Sequence, residues 1–374
     1  MNLRRGVNLR SWVATSRYDQ HVTPQLAGQT ETALADWARA EGARPGAARV
    51  LARALVAQFA GRDALVEPAR EWSSRAAAHF DAGLPAFEAT SDPDGTVRFA
   101  VTLSDGAVIE TVLICQAPSE TRARERWTVC LSSQVGCARG CTFCETGRLG
   151  LKRNLTAAEI VAQYAIAARY AEGAPRKLAG SAPRNVVFMG MGEPLDNLDE
   201  VLRAIEVLRE PAGFAVPERR ITVSTVGIIP KMDELAARSR ANLAVSLHAI
   251  DRAARRSLLP IARKYPLEDL RAAIARAPRT VLLQWTLIAG VNDSDADADQ
   301  LIAFAGGLDV RVNLIPLNPG PLDTALAPSL LRCRAFQKRI ADAGIRALLR
   351  MPHGQSIGGA CGQLAGARRV PVMP

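Results

Sequence analysis

Residues 137–144 read Cys137-Ala-Arg-Gly-Cys141-Thr-Phe-Cys144 and form the most distinctive motif of the sequence. Three thiolates at this C-x3-C-x2-C spacing can bind three irons of a [4Fe–4S] cluster and leave the fourth iron open. The alternative is structural zinc, which prefers four protein ligands and paired C-x2-C arms. No fourth local ligand accompanies the run, so the spacing favours the cluster.

From residue 127 onward the chain alternates buried apolar strands with amphipathic helices. The first predicted strand, 127–131, precedes the loop, and the next helix opens with the capping box Thr156-Ala-Ala-Glu159. Six consecutive strand–helix units imply parallel strands with right-handed crossovers, and so an α/β fold, a partial (β/α)6 barrel. The other predicted strands are 185–189, 221–225, 242–247, 281–287 and 310–315, with a short seventh at 346–350, and the helices between them are 199–209, 231–240, 267–277 and 295–304.

Two further segments precede this core. Residues 1–95 are rich in Ala and Arg and show helical periodicity, which predicts a small N-terminal helical domain. Residues 97–103 and 107–115 read as two strands joined by a Ser-Asp-Gly turn, a β-hairpin extension. The predicted domains are therefore the helical domain at 1–95, the hairpin and a linker around Pro118 at 96–122, the core at 123–365 and a tail at 366–374.

Charge and composition limit the class of partner. The net charge of +10 favours an anionic partner, with nucleic acid first. No apolar run is long enough to span a bilayer, and no apolar segment follows Arg4 and Arg5 as it would in a signal peptide. The sequence therefore predicts a cytoplasmic protein without a membrane partner. Seven cysteines in such a protein argue against a disulfide framework and for metal or redox chemistry.

Polar and small residues stand where the predicted strands end. Because the carboxyl ends of barrel strands share one rim, these residues should converge on one site. Taken singly each is ordinary, and a lone histidine is more often structural than a ligand contact. The residues are Cys137 after the first strand, Gly192 and Glu193 after the second, Ser224 in the third, Ser246, Leu247 and His248 at the fourth, and Asn318 after the sixth.

Seven motifs in fixed order resemble the RlmN/Cfr family of radical S-adenosylmethionine RNA methyltransferases. Together they are highly specific, and the resemblance covers roughly residues 95–365. They are CLSSQVGC at 130–137 with the cysteine loop behind it, NVVFMGMGEP at 185–194, ITVSTVG at 221–227, LAVSLHA at 243–249, LIAGVND at 287–293, VNLIPLNP at 312–319 and ACGQL at 360–364.

The resemblance implies a radical S-adenosylmethionine barrel with two cofactors. A [4Fe–4S] cluster would be bound by Cys137, Cys141 and Cys144. S-adenosylmethionine would bind beside it, where a carboxylate suits its ammonium group, and hydroxyl, imidazole and amide groups suit its ribose and carboxylate. The implied contacts are Gly192, Glu193, Ser224, Ser246, Leu247, His248 and Asn318.

The resemblance also gives roles to two further cysteines and one carboxylate. Cys361 would carry the methyl group as an S-methylcysteine intermediate, and Cys130 would resolve that intermediate through a transient disulfide with Cys361. Glu110 would be the proton acceptor. Without the family, Cys130 is a buried strand residue and Glu110 is a solvent-facing carboxylate. Cys115 and Cys333 match no motif and are expected to be buried structural cysteines.

The implied activity is methylation of an adenine ring carbon in RNA, with carbon 2 favoured and carbon 8 or another RNA site as the alternative. The expected substrate is rRNA, with tRNA as a second, and the expected electron donor is a flavodoxin or ferredoxin. A methylthiotransferase would need a second cysteine triad, which the sequence lacks. A non-catalytic iron–sulfur RNA-binding protein would not need the pair Cys130 and Cys361.

The sequence departs from the family pattern in places. Residues 1–95 carry no matched motif, although they are expected to dock RNA. Ser356 stands where an acidic residue is usual, and Glu145 follows Cys144 where a small residue is usual. Neither change removes a residue to which the mechanism gives a role.

Overall fold

A ten-stranded sheet forms the centre of the protein. The computed structural model describes residues 23–61, 68–116, 125–173, 183–318, 320 and 326–365, so the predicted linker around Pro118 and the tail 366–374 lie outside the described residues. The strands are β1 Ala86–Ser91, β2 Val97–Thr102, β3 Val108–Gln116, β4 Arg126–Cys130, β5 Gln134–Cys137, β6 Gly150–Asn154, β7 Asn185–Phe188, β8 Ile221–Thr225, β9 Asn242–Ser246, β10 Val281–Leu287, β11 Val310–Pro316 and β12 Ala347–Leu349.

The sheet has the order β1-β2-β3-β4-β7-β8-β9-β10-β11-β12. From β4 to β12 its strands are parallel. They match the six predicted strands and the short seventh to within one residue at each end, so the predicted α/β architecture is confirmed. Along β10, Leu283 and Trp285 are fully buried and Trp285 packs against Phe336. Because side chains alternate along a strand, Gln284 between them lies on the opposite face.

Helices cover the parallel strands. The capping box predicted at the start of α5 is present, since the N–H of Glu159 donates to Oγ1 of Thr156 at 3.2 Å and the N–H of Thr156 donates to Oε2 of Glu159 at 2.9 Å. No helix in the described ranges is long and apolar enough to cross a membrane. The helices are α1 Glu31–Ala40, α2 Pro45–Phe59, α3 Pro68–His79, α4 Glu145–Arg148, α5 Ala157–Gly173, α6 Leu198–Arg209, α7 Ile229–Arg238, α8 Arg252–Leu258, α9 Leu267–Ala275, α10 Asp295–Ala305 and α11 Leu330–Asp342.

The predicted hairpin is part of a larger antiparallel extension. β2 and β3 pair as expected, but β1 pairs with β2 as well, and β3 joins the main sheet by pairing antiparallel with β4. The expectation that residues up to 95 are helical is therefore wrong for Ala86–Ser91. This strand reads poorly from sequence because all six of its residues are exposed and show no alternation. A second hairpin, β5 with β6, was not predicted.

The N-terminal helices pack directly against the core domain. The ring of Phe59 in α2 lies edge-on to Phe214, with centroids 6.0 Å apart, and Nη2 of Arg169 in α5 donates to the carbonyl of Phe59 at 2.9 Å. The N–H of Glu31 donates to Oε1 of Glu210 at 3.0 Å. Buried residues of α1 and α2 belong to the same apolar cluster as those of the sheet. The N-terminal segment thus shares a core with the parallel strands.

Residues 351–365, here called the Cys361 loop, follow β12 at one edge of the sheet. They return to the turn between β1 and β2 at the other edge, where the N–H of Gly354 donates to Oδ2 of Asp94 at 3.1 Å. The sheet must therefore curl enough to bring its two edges within reach of one loop. This return carries Cys361 across the rim at which the parallel strands end.

Candidate active site

The three cysteines of the 137–144 loop lie between a strand and a helix that fix its two ends. Cys137 is the last residue of β5, and Cys144 directly precedes α4. Within the loop, the N–H of Cys144 donates to the carbonyl of Cys141 at 3.2 Å. The N–H of Arg139 donates to Sγ of Cys137 at 3.5 Å, and Nε of Arg139 donates to Oδ2 of Asp196 at 2.6 Å. An ion pair therefore ties the loop to the segment that follows β7.

Burial raises the pKa of all three thiols, and to about 12 for Cys137. The charge of Cys144 raises the pKa of Cys137 and Cys141 further. Thiolates are the form that binds metal, so this set becomes stable as thiolates only when cations offset its charge. In the described residues, no three side chains of Cys, His, Asp or Glu are close enough together to bind a single metal ion. A [4Fe–4S] cluster does not require such close packing, because each thiolate binds a different iron. The three cysteines therefore fit a cluster.

The bend after β7 holds Gly192 and Glu193. Gly192 has a φ of +100°, and a Cβ on it would lie 2.6 Å from Cβ of Gln134, so the position requires glycine. The N–H of Glu193 donates to Oε1 of Gln134 at 2.8 Å. The buried carboxylate of Glu193 accepts from the N–H groups of Val226 at 2.9 Å and Leu195 at 3.1 Å. Burial still raises its pKa to about 7, so a cationic ligand would stabilise its charged form.

Ser224 and Ser246 both contact Gln284, a residue that the sequence motifs did not indicate as part of the site. Oγ of Ser224 donates to Oε1 of Gln284 at 2.8 Å, and Oγ of Ser246 donates to the same atom at 3.4 Å. Nε2 of Gln284 donates to Sδ of Met189 at 3.4 Å, and the N–H of Leu247 donates to the carbonyl of Gln284 at 3.0 Å. The side chain of Gln284 in β10 thereby contacts the ends of β8 and β9 and the residue that follows β7. A polar residue inside a buried apolar strand was the signal that could have found it.

His248 follows β9 with a φ of +59°, in the left-handed region. Its Nδ1 accepts from the N–H of Thr286 at 2.9 Å, so the proton of the neutral ring is on Nε2. Burial, together with the charge of Arg255, lowers the pKa of His248 to about 3. The ring packs edge-on against Phe143 of the cysteine loop, with centroids 4.7 Å apart. The site therefore offers a neutral imidazole as a fixed donor beside the cysteines.

The Cys361 loop is attached to both sides of this rim. Nδ2 of Asn318, after β11, donates to the carbonyl of Cys361 at 3.4 Å, and its Oδ1 accepts from Nε2 of Gln355 at 2.8 Å. On the other side the N–H of Glu145 donates to the carbonyl of Gly362 at 2.8 Å. Asn318, expected to contact S-adenosylmethionine, thus also positions Cys361. Glu145, a departure from the family pattern, joins the cysteine loop to the Cys361 loop.

Cys130 ends β4 and is buried, whereas Cys361 is exposed. Burial and, to a smaller extent, the charge of Cys361 raise the pKa of Cys130 to about 12, so the two thiols are within electrostatic reach. The surrounding protein raises the pKa of Cys361 by desolvation although the residue keeps exposed surface, and the charge of Arg350 opposes both shifts. No disulfide joins Cys130 to Cys361, so the expected transient bond is not formed in this state. Cys115 and Cys333 are buried, as expected.

Glu110 is fully buried in β3, so the alternative of a solvent-facing carboxylate is wrong. It forms an ion pair with Arg98 of β2, and its Oε2 accepts from the N–H of Ala365 at 2.7 Å. Its backbone carbonyl accepts from Oγ of Ser132, just after β4, at 2.6 Å. The carboxylate therefore lies between the strand of Cys130 and the end of the Cys361 loop, and the structure brings the three residues to one side of the rim.

Parallel strands that end at a three-cysteine loop of this spacing define a radical S-adenosylmethionine enzyme. The family model described as the Radical SAM superfamily matches residues 131–305. The crystal structure of a radical SAM methyltransferase from Sphaerobacter thermophilus is 38% identical, with a TM-score of 0.81, and the match covers 92% of this chain and 99% of that chain. The fold is therefore the radical SAM α/β fold.

Sequence relatives narrow the class. A protein of Sorangium cellulosum named as a probable RNA methyltransferase is 43% identical over 364 residues, which cover 92% of this chain and 88% of the relative. The dual-specificity RNA methyltransferase RlmN of Syntrophobacter fumaroxidans is 47% identical over 277 residues, which cover 72% of this chain and 77% of the relative. The chain belongs to the RlmN/Cfr family of radical S-adenosylmethionine RNA methyltransferases. It is an RNA methyltransferase that uses a [4Fe–4S] cluster and S-adenosylmethionine.

Proposed function

We propose that the protein methylates a ring carbon of adenine in rRNA through a methyl group carried on Cys361. Carbon 2 is the favoured position and tRNA is a second substrate. The observation that carries the proposal is that Cys130, Cys361 and Glu110 come together at one side of the rim. Carbons 2 and 8 of adenine are electrophilic and cannot attack a sulfonium methyl group. The carbon can instead be carried on one thiol, added to the ring by radical chemistry and released by a second thiol.

The cofactors would occupy the middle of the rim. Cys137, Cys141 and Cys144 would bind the cluster, which supplies the electron that cleaves S-adenosylmethionine and starts radical chemistry. The buried carboxylate of Glu193 would bind the ammonium group of S-adenosylmethionine. Nε2 of His248 would donate a hydrogen bond to it. The remaining proposed contacts are Gly192, which lets the backbone approach closely, and Ser224, Ser246, Leu247 and Asn318.

Cys361 would first accept a methyl group by direct displacement, as a thiolate. Its exposed position allows contact with both S-adenosylmethionine and RNA, and the charge of Arg350 favours the thiolate. After hydrogen abstraction the carbon on the Cys361 sulfur would bond to adenine. The base is then linked to the protein through a methylene bridge. The remaining electron would pass to the cluster, which the cleavage of S-adenosylmethionine has oxidised, and one proton would remain to be removed.

Glu110 would take that proton, and Cys130 would release the RNA. The thiolate of Cys130 would attack the sulfur of Cys361, so that an S–S bond forms while the bond between that sulfur and the bridging carbon breaks. The released carbon would take up the proton held by Glu110 and so become the methyl group. Methylated RNA leaves, and a dithiol reductant restores both thiols. A flavodoxin or ferredoxin is the proposed electron donor for the cluster. This requirement for reduction, together with the RNA substrate, favours the cytoplasm as the site of the reaction.

RNA docking is proposed for the N-terminal segment. Arg49 and Arg53 are exposed on α2 and Arg44 is exposed directly before it, while the opposite face of the helix packs into the shared core. Exposed arginines of this kind suit phosphate contacts. We keep the proposed division into 1–95, 96–122, 123–365 and 366–374, although β1 belongs to the main sheet.

Nucleoside mass spectrometry of rRNA and tRNA tests this function. RNA from a deletion strain is compared with RNA from the same strain carrying the wild-type chain or Cys361→Ala. We expect 2-methyladenosine to be lost on deletion, restored by the wild type and not restored by Cys361→Ala. Loss of 8-methyladenosine instead would move the reaction to carbon 8. An unchanged nucleoside profile in both RNA classes would contradict the proposal.

A further inference from the structure

Arg255 in α8 is a buried cation that lacks an anion. Its side chain is only 3% exposed, and its Nε has no hydrogen-bond partner. Among the ion pairs of the described residues none includes Arg255, whereas Arg252 on the same helix pairs with Glu268. A buried guanidinium without a counter-charge is costly, because nothing replaces the water that it loses. Such a residue indicates a partner that the protein chain itself does not supply.

The position of α8 identifies this partner. The N–H of Thr142, between two of the proposed cluster ligands, donates to the carbonyl of Leu258 at 3.1 Å. Arg255 is three residues before Leu258 and so lies on the same face of α8. Gly140, also in the cysteine loop, lies close to the segment that follows α8: a Cβ built on it would be 3.8 Å from Cγ of Pro260. The loop of the cysteines therefore packs on the C-terminal end of α8, within one helical turn of Arg255.

The guanidinium of Arg255 interacts electrostatically with Cys141 and His248. The charge of Cys141 raises the pKa of Arg255, although burial, the larger effect, lowers it to about 10. Arg255 in turn contributes to the lowered pKa of His248, whose ring packs on Phe143. The guanidinium thus remains protonated at neutral pH, within electrostatic reach of a proposed cluster ligand.

We propose that Arg255 is the charge partner of the iron–sulfur cluster and raises the cluster's reduction potential. Three thiolates and a [4Fe–4S] core carry net negative charge, and reduction adds one more electron to it. A fixed positive charge nearby stabilises the reduced form more than the oxidised form. The electron comes from the external donor, and Arg255 itself neither gains nor loses a proton. The proposal rests on ligation of the cluster by Cys141.

The potential can be measured on cluster-loaded protein without S-adenosylmethionine, by a redox titration followed by electron paramagnetic resonance. We expect Arg255→Met to shift the ratio of reduced to oxidised cluster about tenfold towards the oxidised form at a given potential, or about 59 mV for this one-electron couple. Arg255→Lys keeps the charge and should stay near the wild type. Arg256→Met removes an exposed charge from the same helix and is the matched control. Equal potentials for Arg255→Met and Arg256→Met would overturn the proposal. So would an unchanged potential with weakened S-adenosylmethionine binding, since the charge would then serve that ligand's carboxylate.

Melting temperatures test the proposal even if Arg255→Met binds too little iron for a redox titration. In cluster-free protein Arg255→Met should leave the melting temperature unchanged or raise it, because it removes an unpaired buried charge. In cluster-loaded protein the same change should lower the melting temperature or the iron content, and Arg255→Lys should not. A change of the same sign and size in both states would overturn the proposal. Failure of the wild type to bind iron would instead contradict the ligation by the three cysteines.

Discussion

The hydroxyl of Ser356 donates a hydrogen bond to Oδ2 of Asp92 at 2.6 Å, across 264 residues of sequence. The N–H of Ser356 donates to the same oxygen at 3.2 Å. Asp94 in the same turn has its Oδ2 3.0 Å from Nδ1 of His353. The turn between β1 and β2 therefore holds the start of the Cys361 loop. At position 356, where an acidic residue is usual, a serine hydroxyl pairs with the carboxylate of this turn.

Removal of this attachment should slow the transfer of the methyl group. Asp92→Ala loses both hydrogen bonds from Ser356, which together contribute about 1–3 kcal/mol, and the bond from the N–H of Asp94 within the turn. We expect a roughly tenfold slower methylation of Cys361 in a single turnover, with unchanged iron content. Asp105→Ala is the matched control, because Asp105 lies in the next turn and pairs with Arg153 instead. Equal rates for the two variants would show that the Asp92 contact does not position the loop.

Cys130 and Cys361 should give opposite results when each is changed to Ala. Without Cys130 the early steps run but release stops, so RNA should remain covalently joined to Cys361. We expect a protein–RNA species that resists denaturants and disappears with ribonuclease. It should be absent in Cys361→Ala and in Cys115→Ala, which removes a buried cysteine of β3. Denaturing gels with labelled RNA show this directly, and free methylated RNA at normal rates from Cys130→Ala would refute the resolving role.

The cysteine loop should determine iron content. Anaerobically purified protein should be brown and contain about four irons per chain, as one cluster requires. Combined substitution of Cys137, Cys141 and Cys144 by Ala should abolish both the iron and the cleavage of S-adenosylmethionine. Cys333→Ala, in a buried position of α11, should keep both. Iron content that survives the triple substitution would show that the cluster is bound elsewhere.

Gly192 should tolerate alanine far less than another glycine of similar backbone conformation. Gly192 and Gly42 have φ values of +100° and +94°, but a Cβ would meet Gln134 at the first position and nothing within 4 Å at the second. Gly42→Ala should lose about 1 kcal/mol of unfolding free energy through backbone strain, and Gly192→Ala about 2–4 kcal/mol. Urea unfolding measures both. Gly192→Ala should also lose S-adenosylmethionine binding in equilibrium dialysis. Similar losses of stability would mean that the clash is relieved.

Glu193 should make stability depend on pH below neutrality. Burial raises the pKa of this carboxyl from 4.5 to about 7. A raised pKa means that the folded state binds the proton more tightly, so the contribution is present below pH 4.5 and is lost as the pH rises through 7. We expect the unfolding free energy of cluster-free wild type to fall across this range, by up to about 3 kcal/mol, relative to Glu193→Gln. Urea titrations at several pH values measure the difference, and parallel curves would contradict the shift.

The parallel strands could be predicted because burial on both faces leaves long apolar runs in the sequence. The ends of these runs gave the strand ends, and hence the positions of Glu193, His248 and Asn318 on the rim. β5 could not be predicted, since Gln134–Cys137 has no apolar alternation and depends on its pairing with β6. The burial of Glu110 was equally hidden, because Ala365, one of its partners, lies 255 residues away.

The return of the Cys361 loop to the first strands also has a consequence for biosynthesis. The contacts of Asp92 with Ser356 and of Glu110 with Ala365 span 264 and 255 residues, so they can form only after residues 356 and 365 have left the ribosome. The cysteine loop and α8 are complete about one hundred residues earlier. A nascent chain can therefore build the cysteine loop while its reactive Cys361 has not yet been synthesised, and a truncated translation product lacks that thiol altogether.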